Sequence, residues 1–569
     1  MTDTPATGPR SAQSTWVGAL SAFVERRSLV MMAFGFSAGL PFLLVFDTLS
    51  AWLRAEGLTL EKIGFFSLAT LVYSFKFLWA PLVDRTRVPL LTDWLGHRRS
   101  WMLLCQALIV VGLWLVAGSN PTTGIARMAF FAVLVGIASA TQDIAIDAWR
   151  IEAVDESRQG VMASAYQWGY RVAMIVAGAA PLLLAESYGW RLSYAAMAAL
   201  MGVGMIASLS APRERQHRIR DIHVEGVAPR PTRDLGEWVI RFAVLALGAI
   251  LLGSGLAANA SLLARLLTAL GAGGAGDALM SAWRSTAAVW LQLLAVLAGF
   301  SVVIAAVSPV PGVRTLPGVY LASALGDPLR DFFARYGRRA GLILALICVY
   351  RLSDFVLNIM NPFYLDLGFT LTEVAEVRKI FGVVASMVGV FVGGYSVARF
   401  GLLPSLLAGA FGGPLSNLVF VWLATQGHDV HALVVAIGVD NVLSGFAGTC
   451  LIAYMSSLTT EGFTATQYAL FSSLYALPGR LVASQSGRIV EVAAASADRG
   501  GAAGIFNGWF AGVSPETFAR AFERSGVSPA ALGSGYVLFF VYSCAIGIFG
   551  VVLAYFVVRT TKNTGSAEA

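Results

Sequence analysis

Asp143 and Asp147 stand four residues apart in an otherwise apolar run, with Gln142 beside them. At helical spacing the two carboxylates share one face. Carboxylates this close repel, and reversible uptake of a proton by one of them relieves the repulsion. That chemistry suits proton-coupled movement of a solute. The plainer alternative is that both pair with Lys76 or Arg171 and hold helices together. Arg351 and Asp354, three apart, form a second group, which reads either as a local ion pair or as part of the same site. Asp440, followed by Asn441, is a further proton-coupling candidate or a solvated helix end. Asp47 sits near the end of the first apolar run, with the least defined role. Lys76, Arg171, Lys379 and Arg480 are cations in four different apolar runs. One buried cation commonly neutralises a carboxylate, whereas four point to an anionic solute. Arg480 follows Pro478-Gly479, a local break where backbone groups can face a cavity. Trp168 lies three residues before Arg171 and offers an aromatic face to a sugar ring. Trp52, Trp79, Trp101, Trp149 and Trp190 read as an interfacial belt.

These charges carry meaning because of the medium around them. The chain is 57% hydrophobic and 13% charged, against about 25% charged in ordinary soluble domains. Apolar runs recur from Leu29 to Val558, each near the ~20 residues of a membrane-spanning helix. An ionisable side chain at a helix centre costs roughly 2.5–3.5 kcal/mol on insertion scales. The ionisable residues inside these runs must therefore face a wet cavity, pair with one another, or lie nearer the interface. Hydropathy places spans at 28–50, 62–83, 101–118, 125–149, 160–186, 190–211, 238–258, 286–308, 340–365, 373–398, 402–424, 430–457, 464–490 and 535–559. With the N-terminus inside, 23 Lys and Arg fall on inner segments and nine on outer ones, so both termini are expected in the cytoplasm.

The net charge of +7 sits in loops, where it sets topology and gives no reason to expect nucleic acid. Cys105, Cys348, Cys450 and Cys544 all lie in apolar runs and read as small buried hydrophobes. The five His are scattered over polar loops and helix ends. Neither set suggests a metal or a cofactor, and no nucleophile–base constellation appears. A membrane enzyme or a flippase is therefore disfavoured. No cleaved signal peptide is expected at the N-terminus.

The organisation reads as six, two and six. A cytoplasmic tail (1–27) precedes an N-terminal six-helix bundle (28–211). A linker (212–339) carries two extra helices, and a C-terminal six-helix bundle (340–560) holds a Gly- and Ala-rich outer insertion at 491–534, read as partly disordered or a small lid. A tail (561–569) ends the chain. The segment Trp79-Ala80-Pro81-Leu82-Val83-Asp84-Arg85, followed by Gly96-His97-Arg98-Arg99, is echoed by Gly393-Gly394-Tyr395-Ser396-Val397-Ala398-Arg399-Phe400-Gly401. Both resemble the loop between second and third helices of major facilitator proteins. The fold class expected is thus all-α integral membrane, of the major facilitator type, with fourteen helices and a solute site between the bundles. Asp84 and Arg85, at a helix end, fit a conformational latch.

Further stretches narrow the resemblance. They are Phe34-Gly35-Phe36-Ser37-Ala38-Gly39-Leu40-Pro41, Ile63-Gly64-Phe65-Phe66-Ser67, the Lys76-containing run to Arg85, and Ala140-Thr141-Gln142-Asp143-Ile144-Ala145-Ile146-Asp147-Ala148-Trp149. Gly169-Tyr170-Arg171, Tyr350-Arg351-Leu352-Ser353-Asp354 and Ala465-Thr466-Gln467-Tyr468-Ala469-Leu470 continue it. Together they resemble the AmpG muropeptide permeases of Gram-negative bacteria. The resemblance implies proton-driven import of N-acetylglucosaminyl-1,6-anhydro-N-acetylmuramyl peptides from periplasm to cytoplasm. It further implies a place in cell-wall recycling, a link to β-lactamase induction, and residence in the inner membrane as a monomer. On this reading Lys76, Gln142, Trp168, Arg171, Arg351, Lys379 and Arg480 bind the solute. Asp143, Asp147, Asp354 or Asp440 carries the proton. Another large anion, such as a siderophore, an acyl-CoA or a sugar conjugate, is the alternative cargo.

Overall fold

A computed structural model describes residues 16–57, 73, 75–213, 227, 230–256, 259–283, 285, 288–310, 314–355, 359–483, 486–513, 517–519 and 521–565. Most of the span expected at 62–83 and of the linker 212–237 lies outside the described residues. Among those described, ten helices are long and apolar enough to cross a membrane. The expected fourteen are not counted there because several spans are interrupted. The first runs as α1 (Arg26–Leu43), breaks into a π-turn at Leu44–Thr48, and continues as α2 (Leu49–Ala55). Pro41, three residues before the break, has no N–H to give to the Ser37 carbonyl.

The second span ends in a tight turn at Lys76–Leu78 and α3 (Ala80–Arg85). Then come α4 (His97–Ala117), α5 (Ile125–Glu152), α6 (Gln159–Tyr188), α7 (Trp190–Leu200) and α8 (Gly202–Ser210). Gly189 at φ +82° turns the chain between α6 and α7, a conformation that glycine adopts without a Cβ penalty. In the middle segment α9 (Pro231–Leu256) packs along α12 (Ala288–Val307). Between them lies a helical hairpin that hydropathy does not announce, α10 (Ser261–Ala269) and α11 (Gly273–Trp283).

A further helix, α13 (Leu316–Tyr336), was expected only as linker. The Thr315 hydroxyl caps it by accepting from the Gly318 N–H at 3.3 Å, and Pro317 occupies its first turn. Next follow α14 (Arg339–Val349), α15 (Met360–Asp366), α16 (Gly382–Phe400), α17 (Leu402–Gln426) and α18 (Val430–Ser457). The Asp429 carboxylate caps α18, accepting from the N–H groups of His431 (2.8 Å) and Ala432 (3.3 Å). The chain closes with α19 (Thr464–Ala483), α20 (Ser486–Asp498) and α21 (Pro529–Gly565). The described part of 491–534 is no loose loop. Helix α20 and the turn Ala502–Phe510 pack on α21, with Val490, Ala494, Ala503 and Phe518 in a buried cluster with Phe363 and Tyr536.

Two groups of helices, one ending at Ser210 and one starting at Arg339, meet along two seams. Helix α6 packs on α16 and α18, and α19 packs on α3 and α5. The α6–α16 seam is close because side chains are absent: a Cβ on Gly394 would stand 2.1 Å from Ser164 Oγ and 2.7 Å from the Gly160 carbonyl oxygen. Large apolar side chains such as Trp114, Val384, Val388 and Phe549 point outward, as a hydrocarbon medium permits. The aromatic belt expected from sequence is only partly there. Trp149 is fully buried against Phe34, and Trp52 is buried in a stack with Trp190 at 5.8 Å. These indoles fill core space because their helices cross there, at positions that sequence spacing alone places at span ends.

Candidate functional site

Helix α5 is buried on every side from Ala138 to Arg150, so its polar residues lie within protein. Gln142, Asp143, Asp147 and Arg150 occupy this stretch. Lys76 Nζ lies 3.7 Å from Asp147 Oδ2. From the other side Arg150 Nη2 reaches Asp147 Oδ1 at 3.4 Å. Arg150 also donates to Ser456 Oγ at 2.9 Å and stands over the Tyr468 ring at 5.0 Å, so it ties α5 to α18 and α19. By sequence Arg150 is one of the 23 inner Lys and Arg counted for orientation, and its long-range partners give it a further role. Asp143 Oδ1 is buried and meets no hydrogen-bond partner among the described residues. The charges of Lys76 and Asp147 act on it, and its own charge acts on Tyr73, Tyr166 and Tyr170. Gln142 Oε1 accepts from Ser37 Oγ at 3.3 Å, and its Nε2 is buried without a partner among the described residues.

The second group forms where α14 gives way to a short helix. Arg351 Nε donates to Asp354 Oδ2 at 2.7 Å, and its Nη2 donates to the same oxygen and to Ser444. Tyr475 shares a side-chain hydrogen bond with Arg351. Asp440 lies well inside α18, where its Oδ1 accepts from Ser416 Oγ at 2.9 Å. The reading of Asp440 as a solvated helix end is thereby corrected: a full turn and more of α18 precedes it, and α17 covers it. Asp354 and Arg351 lie close enough to act on it electrostatically.

Between the two groups stand Gln167, Trp168 and Arg171 of α6. Gln167 Nε2 donates to Thr449 Oγ1 of α18 at 2.8 Å, and Trp168 Nε1 donates to the Met387 carbonyl of α16 at 2.9 Å. Arg171 makes no ion pair among the described residues, and its charge and that of Arg351 act against each other. The guanidinium of Arg351 reaches this midline because residue 448 is glycine; a Cβ there would stand 2.8 Å from Nη1.

Lys379 lies on the π-turn Glu376–Phe381, Arg480 on α19 and Asp47 on the π-turn of the first span. The side chains of all three lie outside the described residues. The structure thus brings together Lys76, Asp143 and Asp147 in one group and Arg351, Asp354 and Asp440 in another. Arg150, Gln167, Thr449, Ser444, Tyr166, Tyr170, Tyr468 and Tyr475 join them, none of which sequence reasoning singled out as a site residue.

At the end of α3 the chemistry differs. The fully buried Asp84 carboxylate accepts from the N–H groups of Ala465 (3.1 Å) and Thr466 (2.8 Å) and from Thr466 Oγ1 (2.6 Å). It therefore satisfies the free donors of the first turn of α19, a cap supplied by a distant part of the chain. Arg98 Nη2 bridges Asp84 and Glu152, at 2.7 Å to each. Arg85 turns to α13, donating to the Ser323 carbonyl at 3.2 Å and facing Asp327 at 3.6 Å. One turn further along the same face of α13, Asp331 Oδ2 accepts from Thr460 Oγ1 at 2.7 Å and from Gln467 Nε2 at 3.1 Å. Helix α13 thus lies across the junction of both groups. No cluster of three or more His, Cys, Asp or Glu able to hold a metal occurs among the described residues.

The family model of the Major Facilitator Superfamily matches residues 75–372. The anhydromuropeptide permease of Escherichia coli (strain K12) is 30% identical over 475 residues, covering 83% of this chain and 76% of that one. The putative transporter AmpG 4 of Rickettsia conorii is 27% identical over 473 residues, covering 83% and 91% respectively. Among solved structures, the proton:xylose symporter XylE aligns over 93% of this chain and 94% of that one, at 12% identity and a TM-score of 0.47.

Proposed function

Because the chain belongs to the major facilitator superfamily and, within it, to the anhydromuropeptide permeases, we propose that it carries anhydromuropeptides from periplasm to cytoplasm across a bacterial inner membrane, coupled to protons. The observation that supports an anionic cargo is the pair Arg171 and Arg351. They come from the two helix groups and act against each other, and Arg171 makes no ion pair among the described residues. Two cations facing each other in a membrane interior are costly. A carboxylate of a peptide-bearing solute, placed between them, offsets that cost. Tyr166 and Tyr170, beside Asp143, offer ring faces that suit sugars.

We assign the coupling proton to Asp143. Asp147 is held between Lys76 and Arg150, and Asp354 is held by Arg351, so each has a cation of its own. Asp143 Oδ1 has no donor among the described residues. Solute arrival at Arg171 and Arg351, a proton on Asp143, and release of the Asp84 cap from α19 are then the steps of one rocking cycle. The latch in this cycle is Asp84 with Arg85. On this reading both termini lie in the cytoplasm, and the end bearing Asp84 is the cytoplasmic gate.

The test is uptake of a labelled GlcNAc-anhydroMurNAc peptide by vesicles holding the full chain, with the outside acidic. Uptake is expected to exceed that of empty vesicles and to collapse with a protonophore. Uptake that ignores the gradient would sink the coupling. Failure of unlabelled muropeptide to compete, where a siderophore or acyl-CoA does, would reassign the cargo.

A further inference from the structure

The inserted pair α9 and α12 rests on the remainder of the protein along one narrow edge. Leu252, Val296 and Val303 meet Phe75 there, with Leu78 and Trp79 half-buried beside them. Next to this seam a crevice of about 490 Å³ opens. Its walls come from three elements: Trp79 and Leu82 around α3, Trp238, Phe242 and Ala249 on α9, and Ala324 on α13. The volume falls in the ~300–1,000 Å³ range of small-molecule sites. Water does not suit it, because a buried water needs 2–4 polar partners and the lining offers almost none.

Two observations point to the occupant. The mouth faces the hydrocarbon: Phe242 is 60% and Leu82 43% exposed on helices of a membrane-spanning bundle. Among the described residues, cations stand at one end of the crevice. Arg230 and Arg233 at the start of α9 and Arg314 before α13 are all exposed, and they belong to the two Arg-rich linkers of the chain. Cations in that position attract the anionic headgroups of the adjoining leaflet, each contributing about 1 kcal/mol near the surface. We propose that the crevice is a binding site for one acyl chain of an anionic phospholipid, whose headgroup lies by Arg230, Arg233 and Arg314. The site does not rest on the identity of the transported solute. It adjoins the gate, because α3 carries Asp84, and α9 touches α19, the helix Asp84 caps.

The experiment uses the full chain in vesicles doped with a phosphatidylglycerol that carries a photoactivatable diazirine in one acyl chain. Phosphatidylcholine with the same chain serves in parallel. Illumination should label peptides spanning 238–250 and 320–325, and more strongly with the anionic lipid. Ala249→Phe fills the crevice from one wall and should lower that labelling about tenfold. Ala324→Phe fills it from another wall and should act alike, which guards against misfolding of either variant. Labelling at Phe411 and Leu415 of α17, which are exposed, should not change. Absent labelling, labelling indifferent to both substitutions, or equal labelling by the two headgroups would overturn the proposal.

Discussion

Asp143 and Asp147 share a helix face but not a fate. Asp147 has two cations within 4 Å, whereas Asp143 Oδ1 has no partner among the described residues. Asp143→Asn should therefore abolish gradient-driven accumulation while leaving exchange of labelled for unlabelled solute across the membrane. Equal loss of both activities would refute its role as the proton carrier. Asp147→Asn should behave differently, because it strands Lys76 and Arg150 without their carboxylate. Removing one partner of a buried pair costs about 3–5 kcal/mol, so this variant should show a lower Tm in detergent, and an unchanged Tm would contradict the pairing. The spacing of the two aspartates was legible in the sequence, because helical periodicity is local. Their difference was not, since it is set by Lys76 and by Arg150, whose own partners Ser456 and Tyr468 lie some three hundred residues away.

Among elements, α13 and α19 carry the most. Hydropathy found α19 but passed over α13, whose Asp327, Arg330, Asp331 and Arg335 make it an amphipathic surface helix. The hairpin α10–α11 escaped for a related reason, since each of its helices is too short to span. The Asp84 and Arg85 pair was readable as a motif, yet what it holds was not: the start of α19 and the middle of α13 come from other parts of the chain. Asp84→Ala leaves the α19 donors and Arg98 without their shared carboxylate. A cysteine placed at Ala465, which is buried, should then become reactive to a membrane-impermeant maleimide added on the gate side. Protection equal to that of the Asp84 parent would argue against the cap. Asp331→Ala should have a similar but smaller effect, because it frees Thr460 and Gln467 without touching Asp84.

At the scale of the whole molecule, the two helix groups meet where glycine lets backbones approach. A Cβ on Gly160 would stand 2.6 Å from Val397 Cβ, and one on Gly394 2.1 Å from Ser164 Oγ. Gly394→Leu should keep these seams apart, so that transport falls to background while the protein still purifies as a folded species. Full transport by Gly394→Leu would show that the α6–α16 contact is not needed in the cycle. The pseudo-repeat in the sequence announced two related groups of helices, because each copy retains a piece of the same loop. It did not announce how they close, which depends on α6 against α16 and α19 against α3. Nor did it give the inserted pair a role, because the crevice beside α9 exists only once α3 and α13 stand around it.

The cap on α19 has a consequence for biosynthesis. Thr466 waits on a carboxylate that lies 382 residues earlier in the chain. The ribosome therefore delivers the cap long before the helix it completes, and helices made first tend to be in place first. The N-terminal group thus serves as a template on which the last hairpins dock, and a chain permuted to begin at Arg339 would have to assemble its gate in the reverse order.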